Sequence, residues 1–126
     1  MALRIELFVL DQRASIDDKP IYRVFYHRLH FLDNHKIIEQ VGSYPRDETS
    51  RIKTKELPDQ TFLEIVQNGK DTLVRHDPIG NQLEYIYAAD WQTKVRLPDD
   101  LCKWDFAVDL YIRALPPDTP IILYWL

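Results

Sequence analysis

The sequence predicts an α+β fold in which a mixed β-sheet with a β-hairpin packs against one or two helices. Three patterns carry this prediction. Apolar and polar residues alternate near the start of the chain, β-branched and aromatic residues crowd 20–31, and apolar residues recur at helical spacing in 58–69. A chain of 126 residues, 45% of them hydrophobic, has the length of one domain and enough apolar surface for a core.

The first third of the chain is predicted to be mainly β-structure. Residues 2–10 alternate at period two, which predicts a strand, and the polar residues 11–19 predict a loop. Residues 20–31 form the second predicted strand. A turn at 33–35 connects it to a returning strand at 36–44, so that these two strands form the β-hairpin.

The middle of the chain contains the clearest helical pattern. After a polar loop at 45–56, Pro58 or Asp59 opens the predicted helix and Gly69 ends it. Four apolar residues supply its buried stripe: Phe62, Leu63, Ile65 and Val66.

Short elements follow this predicted helix. Residues 72–76 are either a short strand or a helical turn, and 77–81 have the composition of a tight turn. Residues 82–88 and 91–97 are predicted to be two further strands that meet in a hairpin.

The C-terminal residues leave two alternatives open. Residues 98–115 match both a helix that starts near Asp99 and an alternating strand, and the helix is favoured. Prolines at 116–117 break this element. The apolar residues 119–126 form either a strand or a tail docked on the core.

Composition excludes several classes of protein. A single cysteine, Cys102, cannot form an internal disulfide, which excludes a disulfide scaffold and is typical of a reducing compartment. No apolar run reaches the roughly 20 residues that a membrane-spanning helix needs, so no membrane partner is expected. Acidic residues interrupt 1–13, which therefore does not resemble a signal peptide.

Charge is unevenly distributed along the chain. The net charge is −4, but residues 19–55 contain eight basic and four acidic side chains. This segment therefore has a surplus of four positive charges, and the rest of the chain has a net charge of −8. A basic stretch beside an acidic body indicates two different kinds of partner, although a solvated surface of mixed charge is the simpler explanation.

Motifs for catalysis and metal binding are missing from the sequence. The three glycines do not build a phosphate-binding loop, and no serine lies in a nucleophile-elbow pattern. The histidines His27, His30 and His35 do not follow the spacing of a metal site. Cys102 is predicted to be a small buried hydrophobic residue. We therefore expect no catalytic residue, metal, cofactor or small-molecule substrate.

Two blocks of residues resemble a known family. Residues 19–25 read KPIYRVF and residues 36–45 read KIIEQVGSYP, and Tyr22 lies 20 positions before Gly42. Together with a following helix that ends at Gly69, these blocks resemble the bacterial-type small-subunit ribosomal protein sixteen family. The resemblance covers about half of the chain. It departs from the family pattern at Glu6, where an arginine is usual.

The resemblance implies a ribosomal-protein-like unit at 1–69 and an acidic C-terminal extension at 70–126 packed on it. Long extensions are typical of mitochondrial members, so the implied role is a structural constituent of the small subunit of a mitochondrial ribosome in the matrix. The implied partners are small-subunit rRNA and neighbouring ribosomal proteins. The implied rRNA-binding residues are Lys19, Arg23, Arg28, Lys36, Arg46, Arg51, Lys53 and Lys55.

Aromatic residues of the acidic half are candidates for a protein interface, because such surfaces are enriched in tyrosine and tryptophan. They are Tyr85, Tyr87, Trp91, Trp104 and Trp125. The same side chains can instead complete the core.

Two other classes of function stay open. One is an adaptor or inhibitor domain that binds protein through its acidic face without any RNA. The other is an enzyme with an unfamiliar site, which would require a pocket that joins His27 or His30 to several carboxylates.

Overall fold

The α+β prediction is confirmed. The computed structural model describes residues 4–11, 14–22, 26–32, 40–41, 52–96 and 99–126. These residues form seven strands and two helices: β1 (Ile5–Leu10), β2 (Tyr26–His30), β3 (Lys55–Glu56), β4 (Leu63–Gln67), β5 (Lys70–Val74), β6 (Glu84–Tyr87), α1 (Ala88–Lys94), α2 (Lys103–Arg113) and β7 (Pro120–Trp125).

The strands form two sheets. Five strands pair in the order β2-β1-β7-β6-β3, and every ladder between them is antiparallel. The hairpin β4–β5 forms the second sheet, and an isolated parallel bridge links Leu63 of β4 to Ile21. The predicted unit 1–69 and the predicted extension 70–126 therefore contribute strands to one sheet.

Strand β7 lies at the centre of the larger sheet. It pairs with β1 on one side and with β6 on the other, and its residues Ile121–Trp125 are all buried. A strand that is covered on both faces is apolar at every position, which explains the unbroken apolar run at the end of the sequence. Of the two alternatives for 119–126, a strand or a docked tail, the structure shows the strand.

The two helices cover one face of the five-stranded sheet. Trp91 of α1 is completely buried, and its ring stacks on that of Phe31 with centroids 5.6 Å apart. Val108 and Ile112 of α2 join the same cluster, together with Leu7 and other β1 and β7 side chains. This cluster fixes both helices against the sheet.

The hairpin β4–β5 and the loop before β2 cover the opposite face. Leu63 and Ile65 of β4 pack with Phe8, Tyr85 and Ile122 of the sheet. A hydrogen bond also joins this layer to the sheet: the Tyr26 hydroxyl on β2 donates to the Glu64 carbonyl on β4 over 2.6 Å. The molecule therefore has three layers, with the sheet in the middle.

The predicted helix at 58–69 is wrong. Residues Leu63–Gln67 form a strand, and Asn68 and Gly69 form the turn to β5, with φ angles of 51° and 79°. An Asn-Gly pair between apolar runs is a strong signal for a two-residue hairpin turn, since both residues tolerate positive φ. The same pair also resembles the end of a helix, which explains the error.

Two other predicted strands are wrong where the structure describes them. Residues 91–94 belong to helix α1, which begins where the Asp90 carboxylate accepts a hydrogen bond from the Tyr87 backbone N–H over 3.0 Å. Within the predicted strand 36–44 only Gln40 and Val41 lie in the described part of the chain, and both are helical. In the described part of the chain β2 pairs with β1, and the rest of the predicted returning strand, 36–39 and 42–44, lies outside the described residues.

The favoured helix at 98–115 is confirmed, although it begins at Lys103 with Cys102 as N-cap instead of near Asp99. The turn at 77–81 is confirmed as well, because Asp77 Oδ1 accepts hydrogen bonds from the N–H groups of residues 79, 80 and 81. Among the described residues, neither helix has the length and apolar character to cross a bilayer.

One buried hydroxyl gives a first prediction. Thr61 is fully buried, and its Oγ1 has no hydrogen-bond partner within the described part of the chain. A valine has nearly the same shape but no polar atom to desolvate. We expect Thr61→Val to raise the free energy of unfolding by up to about 1 kcal/mol in urea denaturation. A loss of more than about 1 kcal/mol would contradict this reason.

Candidate protein-interaction surface

Helix α2 has an unusual distribution of polar and apolar side chains. Its buried face contains the carboxylates of Asp105 and Asp109 beside Val108 and Ile112. Its outward side carries four large apolar residues, with exposed fractions of 40–54%. They are Trp104, Phe106, Leu110 and Tyr111. An amphipathic helix of a soluble domain usually turns such residues toward the core.

Hydrogen bonds explain why two aspartates can lie inside. Asp105 Oδ1 accepts a bond of 2.6 Å from the backbone N–H of Leu32. Asp109 Oδ1 accepts a hydrogen bond of 2.8 Å from Trp91 Nε1, and Asp109 Oδ2 accepts one of 2.9 Å from Arg113 Nε. Buried carboxylates need such partners to offset desolvation. These bonds fix the rotation of α2 about its axis and hold its apolar residues outward.

The two helices also cap each other at their C-terminal ends. The Arg113 guanidinium donates to the carbonyls of Gln92 and Val95, over 3.3 and 2.8 Å. The Gln92 amide donates in turn to the carbonyls of Ile112 and Leu115, over 3.2 and 2.9 Å. The last carbonyls of a helix lack partners within the helix, so this exchange satisfies both ends and keeps α2 rigid.

Trp104 is held in place while about half of its surface stays accessible. Its Nε1 donates to the His30 carbonyl over 3.0 Å, and its ring lies 5.6 Å from the His30 ring. Leu32, which follows β2, is 64% exposed and lies next to this end of α2. An anchored aromatic side chain loses little entropy when it binds, which favours a role in recognition.

We name the outward side of this helix the α2 face and define it by residues Trp104, Phe106, Ala107, Leu110 and Tyr111, all exposed. Free aromatic side chains offer 150–250 Å² each, so the large residues leave roughly 400 Å² of accessible surface here. A contiguous apolar patch of this size on a soluble domain is often functional.

The predicted rRNA-binding residues are only partly described. Arg23, Lys36, Arg46 and Arg51 lie outside the described residues. Lys19, Arg28, Lys53 and Lys55 are exposed. Arg28 on β2 and Lys55 on β3 lie at opposite edges of the sheet, about 19 Å apart at normal strand spacing. The structure therefore does not bring these two cations together.

Two of these cations already have partners within the chain. The Arg28 guanidinium pairs with the Glu6 carboxylate and lies 5.2 Å from the centre of the Phe8 ring. The Lys55 ammonium lies 5.1 Å from the centre of the Tyr87 ring. Such contacts reduce what either side chain would gain from a phosphate.

The aromatic residues predicted for an interface divide into two groups. Trp91 and Trp125 lie in the core, and Tyr85 is buried against the hairpin layer, where desolvation and the neighbouring Tyr87 raise its pKa. These three complete the core, which was the simpler alternative. Tyr87 is half-buried, and only Trp104 is largely exposed.

The rest of the α2 face was not predicted from the sequence. Phe106 and Leu110 fit the alternating strand that is the alternative for 98–115, although with Trp104 and Tyr111 they give α2 apolar residues on nearly every side. The excess of apolar residues in a helix of a small domain was the available signal. Cys102, predicted to be buried, is exposed at the start of this helix, because the helix begins one residue later.

An open groove lies at the other end of the sheet. Its volume is about 650 Å³, and its lining includes the carboxylates of Asp17, Asp90 and Asp118. Neither His27 nor His30 lines this groove. The groove is therefore not the pocket of histidines and carboxylates that the enzyme hypothesis required. Among the described residues, no cluster of three or more histidine, cysteine or carboxylate side chains could hold a metal ion.

Comparison with known proteins does not identify a family. No family model matches the chain, and neither the curated proteins nor the solved structures include a match.

Proposed function

We propose that this chain is a protein-interaction domain, of the adaptor or inhibitor class, that binds protein through the α2 face. One observation carries the proposal. Helix α2 turns two carboxylates inward and four large apolar side chains outward, and hydrogen bonds from Leu32, Trp91 and Arg113 fix that orientation. An apolar surface held outward by a rigid network is typical of a protein-binding site.

The energy available from this surface is comparable with the cost of association. Covering roughly 400 Å² at about 25 cal/mol per Å² contributes on the order of 10 kcal/mol before the costs of association. Those costs are about 4–15 kcal/mol, so the net affinity is modest unless the rim adds contacts. The area is about half of the 800 Å² that one partner buries in a standard interface. We therefore expect the partner also to contact residues around the α2 face.

A second candidate function is that of a small-subunit ribosomal protein in the mitochondrion. The residue blocks at 19–25 and 36–45 favour it, and Lys19, Lys53 and Lys55 are exposed cations within the basic segment. The resemblance also depended on a helix ending at Gly69, where the chain instead forms the β4–β5 turn. This candidate predicts that complexes of the chain depend on RNA.

The experiment that separates the two candidates is sedimentation of the tagged chain from its native cells, with and without ribonuclease. We expect a species larger than the monomer that persists after ribonuclease treatment. Phe106→Gln with Leu110→Gln should reduce this species at least tenfold, because it removes two exposed apolar side chains from the α2 face. Glutamine is a good helix former, so the helix should persist.

The control is Val66→Gln with Leu73→Gln on the β4–β5 hairpin. These residues are 45% and 50% exposed, so the control removes a similar apolar area on the opposite face of the sheet. It should leave the larger species intact. Co-migration with small ribosomal subunits that ribonuclease abolishes, and that Lys53→Glu with Lys55→Glu weakens, would contradict the protein-interaction proposal and favour the ribosomal one.

A further inference from the structure

We infer that the protein seated on the α2 face is a second copy of this chain, with the two α2 helices antiparallel about a two-fold axis at Ala107. The inference rests on the proposed function, since it uses the same surface, and it adds the identity of the partner. Three features carry it: the symmetry of the α2 face about Ala107, the opposed dipoles of the two helices and the area.

The α2 face is centred on a small residue. Ala107 is exposed and lies near the middle of the helix Lys103–Arg113. Residues three and four positions away are its neighbours on the helix surface. On this helix they are Lys103, Trp104, Leu110 and Tyr111. A small residue surrounded by long side chains forms a hollow, and two such hollows allow helix axes to approach to about 8 Å.

Antiparallel pairing about Ala107 matches the α2 face with itself. Residues at equal distances from the axis on opposite sides face each other, so Trp104 lies against Leu110 of the second copy. Lys103 lies against Tyr111 of the second copy, where its ammonium can contact the ring. Each apolar or cationic group therefore meets a suitable group, which a two-fold interface requires.

The helix dipoles also favour this orientation. Antiparallel pairing places the partly positive N-terminus of each α2 beside the partly negative C-terminus of the other, whereas parallel pairing places like ends together. Lys103 is exposed in the first turn of α2, so antiparallel pairing also places its positive charge near the C-terminal end of the second copy.

The area agrees with a weak dimer. Roughly 300 Å² from Trp104, Leu110 and Tyr111 of each copy gives about 600 Å², and the rim supplies the remainder of the roughly 1,000 Å² that a specific interface needs. We therefore expect a dimer that forms with a dissociation constant in the micromolar range.

The test is sedimentation velocity of the purified chain from about 1 to 200 µM, a range that brackets the expected constant. Ala107→Arg places two like charges on the axis and fills both hollows, so it should weaken dimerisation at least tenfold. Arginine is a good helix former, and circular dichroism would show that the variant remains folded. Ala114→Arg is the matched control and should leave dimerisation intact. Ala114 is exposed just beyond the helix, away from the two-fold axis, and in the antiparallel pair it would lie near Asp99 of the second copy.

The single cysteine reports the orientation. Cys102 is exposed five residues before Ala107, so antiparallel pairing places the two copies of Cys102 about 17 Å apart between Cα atoms. Spin labels on Cys102 should give a distance near 20 Å, whereas parallel pairing would bring the labels within about 10 Å.

Three outcomes would overturn the inference. They are a monomer at every concentration, a dimer that Ala107→Arg leaves unchanged, and a short label distance. The purified chain could be a monomer while the ribonuclease-resistant species in cells still requires Phe106 and Leu110. That result would overturn the identity of the partner as a second copy and leave the proposed function standing. Loss of that species to ribonuclease would overturn the proposed function.

Discussion

Removal of residues 120–126 is expected to abolish folding. This deletion takes away β7, the central strand, together with its ladders to β1 and β6. It also removes five buried side chains, Ile121–Trp125, each of which contributes about 1.5–3 kcal/mol by burial. The sum is comparable with the 5–15 kcal/mol that stabilises a typical domain. Far-ultraviolet circular dichroism should show a largely unfolded chain without a cooperative thermal transition.

A single substitution in β7 tests the same prediction if the truncated chain cannot be purified. Leu123→Ala should lower the free energy of unfolding by about 2–5 kcal/mol, since Leu123 is 1% exposed in the helix-side core. Leu73→Ala on the exposed hairpin face is the control and should change stability by less than about 0.5 kcal/mol. Equal effects of the two substitutions, or a truncated chain that still unfolds cooperatively, would mean that β7 is not the central strand.

The same strand shows what the sequence can predict. A continuous apolar run at 120–125 indicates burial on both faces, and alternation in 2–10 indicates a strand, which the structure shows at Ile5–Leu10. The apolar residues at 62–66 fit both a helical stripe and a strand, and Asn68-Gly69 fits both a helix end and a hairpin turn. Pairing with residues 70–74 decides between them, and local patterns do not contain that information.

The candidate surface was harder to predict for a related reason. Helical periodicity in 98–115 identifies a helix, but α2 has apolar residues on several sides, so the pattern does not tell which side is buried. Partners from distant parts of the chain decide the orientation. Leu32 is 73 positions from Asp105 and Trp91 is 18 positions from Asp109, and neither contact leaves a periodic signal.

Asp109→Ala is expected to cause the largest loss of stability among substitutions of polar residues. Asp109 is 7% exposed, and its two carboxylate oxygens accept hydrogen bonds from Trp91 Nε1 and Arg113 Nε. The alanine leaves a buried indole N–H without its acceptor and a guanidinium without its counter-charge. Removing one partner of a fully buried pair costs about 3–5 kcal/mol, and partial exposure of Arg113 lowers our expectation to about 2–4 kcal/mol.

A double-mutant cycle in urea denaturation separates the hydrogen bond from general packing. Trp91→Phe removes Nε1 and leaves a smaller ring, so Asp109→Ala should cost at least about 1 kcal/mol less in this background than in the original chain. Independent effects of the two substitutions would contradict the Trp91–Asp109 bond. Since this bond also fixes the rotation of α2, Asp109→Ala should weaken association through the α2 face even at temperatures where the variant remains folded. Binding that is unchanged in a folded Asp109→Ala variant would show that packing alone holds the apolar side chains outward.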